Sequence, residues 1–395
     1  MNNKLLKALV FTPMEGRFWG APAYLWGLPG IAKSATFKAL GKSLGWRVEI
    51  LSPSERGEGA FGVVPVPDKV GAKTVLTYPA PDWVAEMEAL GEGLVIVEEI
   101  GSCPPALQPA LLGLVQDRRI GGHVLSPRIR VMGAGNPVNV AAGGQDLAPP
   151  VANRGGHFDC TPPPAEKWIE WLLGAAQTEE VAAFDATAEE ARVMARWPEV
   201  FGTCAARVAG FIKRSPSLLH VMPPEGNPAA SRAWPSHRTW EYATRVYASG
   251  VVQGLTPSDQ EALMAAFIGT GPAGEFWTWL NAADLPDPAE LLDGKVTFAH
   301  EGRRQDRTLV VLNSCAALVA PVAEAGKPAN TRKDRAMALW KLIDEVSEVA
   351  PDLGIPAMRK LIEAKLQTVD GALKVMAKLA PTVTAAGMVK KAKGG

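Results

Sequence analysis

Three short stretches hold the residue types that bind and cleave phosphate esters, and their order along the chain matters as much as their content. The first is Gly27-Leu28-Pro29-Gly30-Ile31-Ala32-Lys33-Ser34, entered by the apolar run Ala23-Tyr24-Leu25-Trp26 and followed by Ala35 and a helical pattern. Glycines at 27 and 30 let the backbone curl so that successive N–H groups point at a phosphate. The start of the next helix adds its positive end. In this strand, loop, helix context Lys33 would reach the β- and γ-phosphates and the Ser34 hydroxyl would ligate magnesium, so residues 27–35 are expected to hold a nucleotide. One position departs from the pattern: Ala32 stands where glycine usually precedes the lysine, and its β-carbon tolerates positive φ less well. The plain alternative is a Gly-Pro turn that happens to precede a helix.

The second stretch, Gly93-Leu94-Val95-Ile96-Val97-Glu98-Glu99, is an apolar strand ending in two carboxylates. Adjacent residues at a strand end project in different directions, so the two acids can serve two tasks. Glu98 would support the metal and Glu99 would polarise the water that attacks the γ-phosphate. Glutamate at 98, where aspartate is usual, lengthens that arm by a methylene. Taken alone, such a pair is an ordinary solvated strand end. The third stretch, residues 129–136 (IRVMGAGN), delivers Asn136 from an apolar strand, where it could hold the attacking water from the other side. Followed by Pro137, it also fits a turn residue.

In order, GLPGIAKS, LVIVEE, QDRRIGGHVLSPRIRVMGAGNP, APPVANRGGHFD and WPSHRTWEYATR resemble the AAA+ ATPases and, within them, the MoxR-like branch, over roughly residues 20–250. That resemblance implies an α/β P-loop core with a parallel five-stranded sheet, an all-helical lid and a C-terminal helical region. It implies ATP and Mg2+ as cofactors, a homo-oligomeric ring of six subunits, and a protein client or adaptor, often one with a von Willebrand factor A domain. It assigns Arg154, just ahead of the last core strand, as an arginine that enters the neighbour's nucleotide site, and Arg238 as a lid arginine that reads the γ-phosphate in its own subunit. It also places hairpins at Arg118-Arg119 and at 57–81, with Phe61, Val63 and Val64 as candidates for touching a client or, equally, for local packing.

The rest of the sequence agrees with a globular ATP hydrolase. Of 395 residues, 47% are apolar and 21% charged, as in folded domains, and the length predicts two or three of them. Lys plus Arg and Asp plus Glu each number 41, so the formal net charge is zero, which gives no reason to expect a nucleic-acid or membrane-surface binder. Four scattered cysteines form neither a disulfide framework nor a zinc spacing, and five histidines show no ligand pattern, which fits a reducing cytoplasm. The apolar stretch 309–323 is too short and too interrupted to cross a bilayer.

Short apolar runs at 23–26, 48–51, 94–97 and 129–134 alternate with helical patterns, which predicts a mostly parallel, helix-covered sheet. The proline cluster 161–164 ends that pattern. The expected division is a nucleotide-binding core over 1–165 with a hairpin insertion at 57–81, a helical lid over 166–270 and a helical extension over 271–395. In the extension, breaks are expected at 271–294 and 326–331, and one amphipathic helix is expected to align Met358, Leu361, Ile362, Leu366, Val369, Leu373 and Met376. Trp168 with Trp171 and Trp277 with Trp279 are expected in a core. A scaffold that binds nucleotide but turns it over poorly is the competing function, motivated by Ala32 and Glu98; a DNA-directed motor is disfavoured by the charge balance.

Overall fold

The computed structural model describes residues 3–141, 144–174, 184–320 and 329–385. Its strands are β1 (Ala23–Trp26), β2 (Val48–Leu51), β3 (Val66–Val70), β4 (Lys73–Thr77), β5 (Gly93–Val97), β6 (Arg119–Ile120), β7 (His123–Val124), β8 (Ile129–Gly135) and β9 (Gly156–Asp159). Five of them form one parallel sheet in the order β2-β5-β8-β1-β9. The fold is therefore α/β with the expected five-stranded parallel sheet. Every residue of β1, β5 and β8 is buried, which is why these segments, Arg130 of β8 apart, read as continuous apolar runs rather than as alternating ones.

The strand order contains a reversal. From β1 the chain goes to the far edge at β2, returns through β5 and β8, and crosses β1 to reach β9. In open parallel sheets ligands settle outside the carboxyl ends of the strands at such a point. Here the carboxyl ends of β1, β5 and β8 are followed directly by Gly27, Glu98 and Asn136.

A buried ion pair stiffens this sheet. Arg130, on β8 and fully buried, donates to Glu190 and to the Val10 carbonyl, and its guanidinium lies 4.0 Å from the centre of the Trp46 ring. Burial, opposed by Glu190, pushes the Arg130 pKa down to about 10, so the group stays charged at neutral pH.

The insertion at 57–81 contains the antiparallel hairpin β3-β4, paired from Val66↔Thr77 to Val70↔Lys73. At its base, local packing is the one of the two expected roles that Phe61 takes. Phe61 is fully buried among Trp83, Leu107 and Leu111, because the 3-10 turn Glu58–Phe61 folds it under the sheet's helices; it is a core residue and does not touch solvent. Val64 is exposed. A second hairpin, β6-β7, sits where expected, but Arg118 at its base is buried and donates to the Gly20 carbonyl at 2.5 Å.

By packing, the chain forms two compact units: Met1–Val193 with His220–Ala273, and Met194–Leu219 with Gly274–Gly395. The helical part after residue 165 is thus shared between them. In the second unit, Leu312, Cys315, Leu339, Trp340, Ile343 and Leu361 form a buried apolar centre. Two details there depart from the sequence reading. Thr270–Ala282 is helical despite Gly271, Pro272 and Gly274, and the periodic stretch after 351 is two helices, Pro351–Glu363 and Ala372–Ala385. Lys365 adopts a φ of 58° in the connection, which ends the first helix and leaves Leu373 exposed. Of the expected break at 326–331, residues 326–328 lie outside the described residues and 329–331 begin the helix Ala329–Ser347. Trp168 is half exposed on the helix Ala165–Leu172, not in a core. None of the described helices is long and apolar enough to cross a membrane.

Candidate active site

The three stretches converge. Residues 29–35, Glu98, Glu99, Ala134, Gly135 and Asn136 line one cleft of about 390 Å³ at the carboxyl ends of β1, β5 and β8. Register holds them there: Gly27 N–H donates to the Gly135 carbonyl at 3.2 Å and Glu98 N–H to the Leu51 carbonyl at 2.8 Å. A Cβ at position 27 would stand 2.5 Å from Ile31 Cδ1 and 2.9 Å from the Cys160 carbonyl oxygen, so close approach demands glycine there. Gly30 is needed for a different reason, its φ of +79°.

Ala32 takes φ 66°, ψ 30°, the left-handed region, and caps the helix Lys33–Leu44. An L-residue there costs roughly 1–2 kcal/mol, so the loop holds this left-handed turn at the expense of strain. Lys33 Nζ donates to the carbonyls of Gly27 at 2.8 Å and Leu28 at 2.9 Å, and to Asn136 Oδ1 at 2.9 Å. Gly27 and Leu28 therefore act on the lysine through their carbonyls rather than lining the cleft. Burial pushes the Lys33 pKa down, opposed by Cys160 and Glu98.

The two acids differ as expected, but by more than direction. Glu98 Oε1 is buried without a hydrogen-bond partner. Glu99 is exposed, has a φ of 51°, and accepts a hydrogen bond from Ser54 Oγ at 2.9 Å. Ser54 lies on the short helix Pro53–Arg56, directly after β2, and sequence reasoning missed it. The available signal was a serine just past the apolar run 48–51, expected to be a strand of the same sheet as the acidic one.

Arg154 and Arg238 lie elsewhere. Gly156 N–H donates to the Pro22 carbonyl, so the turn before β9 sits at the amino end of β1, a whole strand away from the phosphate loop. Arg154 donates to Gln116 Oε1 and the Pro150 carbonyl. Arg238 lines a second cavity, of about 760 Å³, together with Pro22, Gln116, Arg118, Tyr242 and others. Arg238, expected to read the γ-phosphate of its own subunit, lies near Arg154 and is not among the residues that line the cleft of Lys33. The cause is local. Ser236 caps the helix His237–Val252 in a capping box with Thr239, which fixes Arg238 in the first turn. Ser236 Oγ also donates to Asn153 Oδ1 at 2.7 Å, and Asn153 Nδ2 donates to the Trp234 carbonyl at 3.1 Å, which ties that helix start to the Arg154 turn. Burial lowers the Arg154 pKa, and the Arg238 charge lowers it further.

No family model matches the chain, and no curated protein matches it. Among solved structures it is similar to the crystal structure of a "putative ATPase" from Cytophaga hutchinsonii ATCC 33406, with 13% identity and a TM-score of 0.44, over 67% of this chain and 78% of that one. At that identity and score the likeness carries none of the functional argument, which rests on the side-chain geometry of the cleft.

No cluster of three or more His, Cys, Asp or Glu with metal-binding geometry occurs among the described residues. The donor set that does occur, Ser34 with Glu98, is the sparse kind that magnesium uses when phosphates and water complete its shell. The buried, partnerless oxygen of Glu98 fits a cation at that place.

Proposed function

We propose that the chain is a magnesium-dependent ATP hydrolase of the AAA+ class, MoxR-like branch, working as a homo-oligomeric, hexameric ring that remodels or activates a protein partner. The observation that carries the reading is the meeting of Lys33, Ser34, Glu98, Glu99 and Asn136 in one cleft at the strand reversal. Residues 29–35 offer backbone N–H groups and a helix start to the phosphates. Lys33, now bonded to three oxygens of the protein, exchanges them for phosphate oxygens. Ser34 and Glu98 hold magnesium, which when bound neutralises phosphate charge. Glu99 takes the proton of the attacking water, Ser54 aims its carboxylate, and Asn136, released by Lys33, holds that water from the opposite side.

Arg154 and Arg238 belong to the same reaction in the neighbouring copy. Both sit at the amino end of the sheet, where their own triphosphate is out of reach, and their mutual repulsion is relieved by an anion supplied from outside. A guanidinium given in trans in this way is worth about three to five orders of magnitude in nucleotide hydrolases. The client is a protein, possible adaptors with a von Willebrand factor A domain included, and the exposed hairpin β3-β4 is the element offered to it.

Native mass measured with and without Mg-ATP, alongside phosphate release, tests this reading. A ring that assembles with nucleotide and releases phosphate, and a Lys33→Ala variant that does neither, are expected. A chain that stays monomeric under ATP would leave Arg154 no neighbour to reach and would overturn the trans mechanism. The strained Ala32 favours a second reading, a nucleotide-gated scaffold, which predicts binding with no release.

A further inference from the structure

The strand that ends in the phosphate loop is also bonded, side chain by side chain, to the turn that carries Arg154. Trp26, the residue before Gly27, donates its indole Nε1–H to His157 Nδ1 at 2.9 Å. Because that nitrogen accepts, the imidazole proton resides on Nε2, which donates to the Ala152 carbonyl at 3.0 Å. Ala152 closes the helix Pro149–Ala152, two residues before Arg154. On the same face of β1, two positions back, the Tyr24 hydroxyl donates to the Val151 carbonyl at 3.1 Å. The Trp26 and His157 rings lie within 4° of parallel, and the edge of Tyr24 packs on the same imidazole.

All three side chains are buried, so none of the three hydrogen bonds has water as a substitute. Burial lowers the His157 pKa to about 4, which keeps the ring neutral, with one acceptor and one donor, at physiological pH. A Cβ on Gly155 would stand 2.7 Å from the Tyr24 ring, so the turn has no slack between Arg154 and β9. The helix end before Arg154 is thus fixed by two carbonyls that β1 controls, one of them only through His157.

We infer that His157 is a positioning residue for Arg154: through Trp26 it takes its place from the strand that bears the phosphate loop, and through the Ala152 carbonyl it sets how the arginine is presented to the next subunit. The inference rests on the reading of Arg154 as an arginine given in trans. It adds a physical link between the nucleotide site at one end of β1 and the neighbour-facing group at the other.

Subunit mixing separates the two claims. Arg154→Ala chains hydrolyse only when a neighbour supplies an arginine, and Glu99→Gln chains supply one without hydrolysing. An equimolar mixture is expected to release phosphate at least tenfold faster than either alone; without that recovery the trans reading fails and the inference falls with it. With Glu99→Gln/His157→Phe as the donor, recovery is expected to drop at least fivefold while a fluorescent ATP analogue still binds that donor with unchanged affinity. Glu99→Gln/His157→Gln, whose amide can accept from Trp26 and donate to Ala152, is expected to restore it. Undiminished recovery with the phenylalanine donor would overturn the inference and leave the ring reading standing. Should circular dichroism show the His157→Phe donor unfolded, Glu99→Gln/Trp26→Phe interrogates the same link: the same loss supports the inference, and full recovery overturns it.

Discussion

The two ends of β1 are built to different rules. At the carboxyl end the loop holds an alanine and the acidic turn a glutamate in left-handed backbone, one carboxylate oxygen is buried without a partner, and the lysine is bonded to its own loop. At the amino end Asn153, Ser236 and Thr239 are joined by hydrogen bonds, Arg154 beside them donates to Gln116 and to the Pro150 carbonyl, and Arg238 stands in the first turn that Ser236 caps. The first end has strain and unmet valence for a ligand to relieve. The second has cations mounted on a rigid frame, suited to reaching into something else. A site that must exchange its ligand is left incomplete by the protein, whereas a site that must present a charge at a fixed place is braced by it.

The largest expected effect lies at the braced end. Arg154→Ala should lower the rate of phosphate release by about 10³-fold or more while nucleotide affinity, read by a fluorescent ATP analogue, holds. A proportional loss of affinity would make Arg154 part of its own subunit's site and erase the contrast. Next comes the frame itself. Glu190→Ala strands Arg130 as a buried, unpaired charge and should lower the unfolding free energy by about 3–5 kcal/mol in urea titration.

A third expectation concerns pH. Folding displaces the His157 pKa from 6.5 down to about 4, equivalent to about 3 kcal/mol. Above pH 6.5 the ring is neutral in both folded and unfolded chains and that stability is fully present. As pH falls the unfolded chain takes up the proton first, so stability drains away between 6.5 and about 4. Urea midpoints at pH 7 and 4.5 should differ in the wild type and draw together in His157→Gln. The smallest effect belongs to the strained end: Ala32→Gly removes the left-handed penalty and returns part of it as chain entropy, for a net gain of up to about 1 kcal/mol in stability or nucleotide affinity. A loss at this position would mean that the alanine methyl packs against the bound nucleotide.

What could be read in advance follows the same division. The strand–loop–helix turn that holds Gly27, Gly30, Lys33 and Ser34 was legible because it is contiguous, its backbone shape being set by immediate neighbours. Glu98, Glu99 and Asn136 were legible because each follows an apolar run that had to be a buried strand. Ser54 and the pair Trp26–His157 were not, since 45 and 131 residues separate the bonded partners and only the strand order brings them together. Arg238 was recognised as a candidate, but its place near Arg154 was not legible, because it depends on the Asn153–Ser236 bond, which no local pattern encodes. Trp168 was misread, and Phe61 was left between client contact and local packing, for one reason: an apolar side chain in a hairpin or on an amphipathic helix does not reveal which face the fold will cover.

The central claim is that the carboxylate after β5 drives hydrolysis of a triphosphate seated on residues 29–35, and Glu99→Gln tests it most directly when phosphate release and bound nucleotide are measured on the same sample. The account predicts that the wild type releases phosphate with magnesium present and that the variant releases at least about 100-fold less while retaining ATP. Equal turnover in the two proteins, or no ATP bound to either, would contradict it.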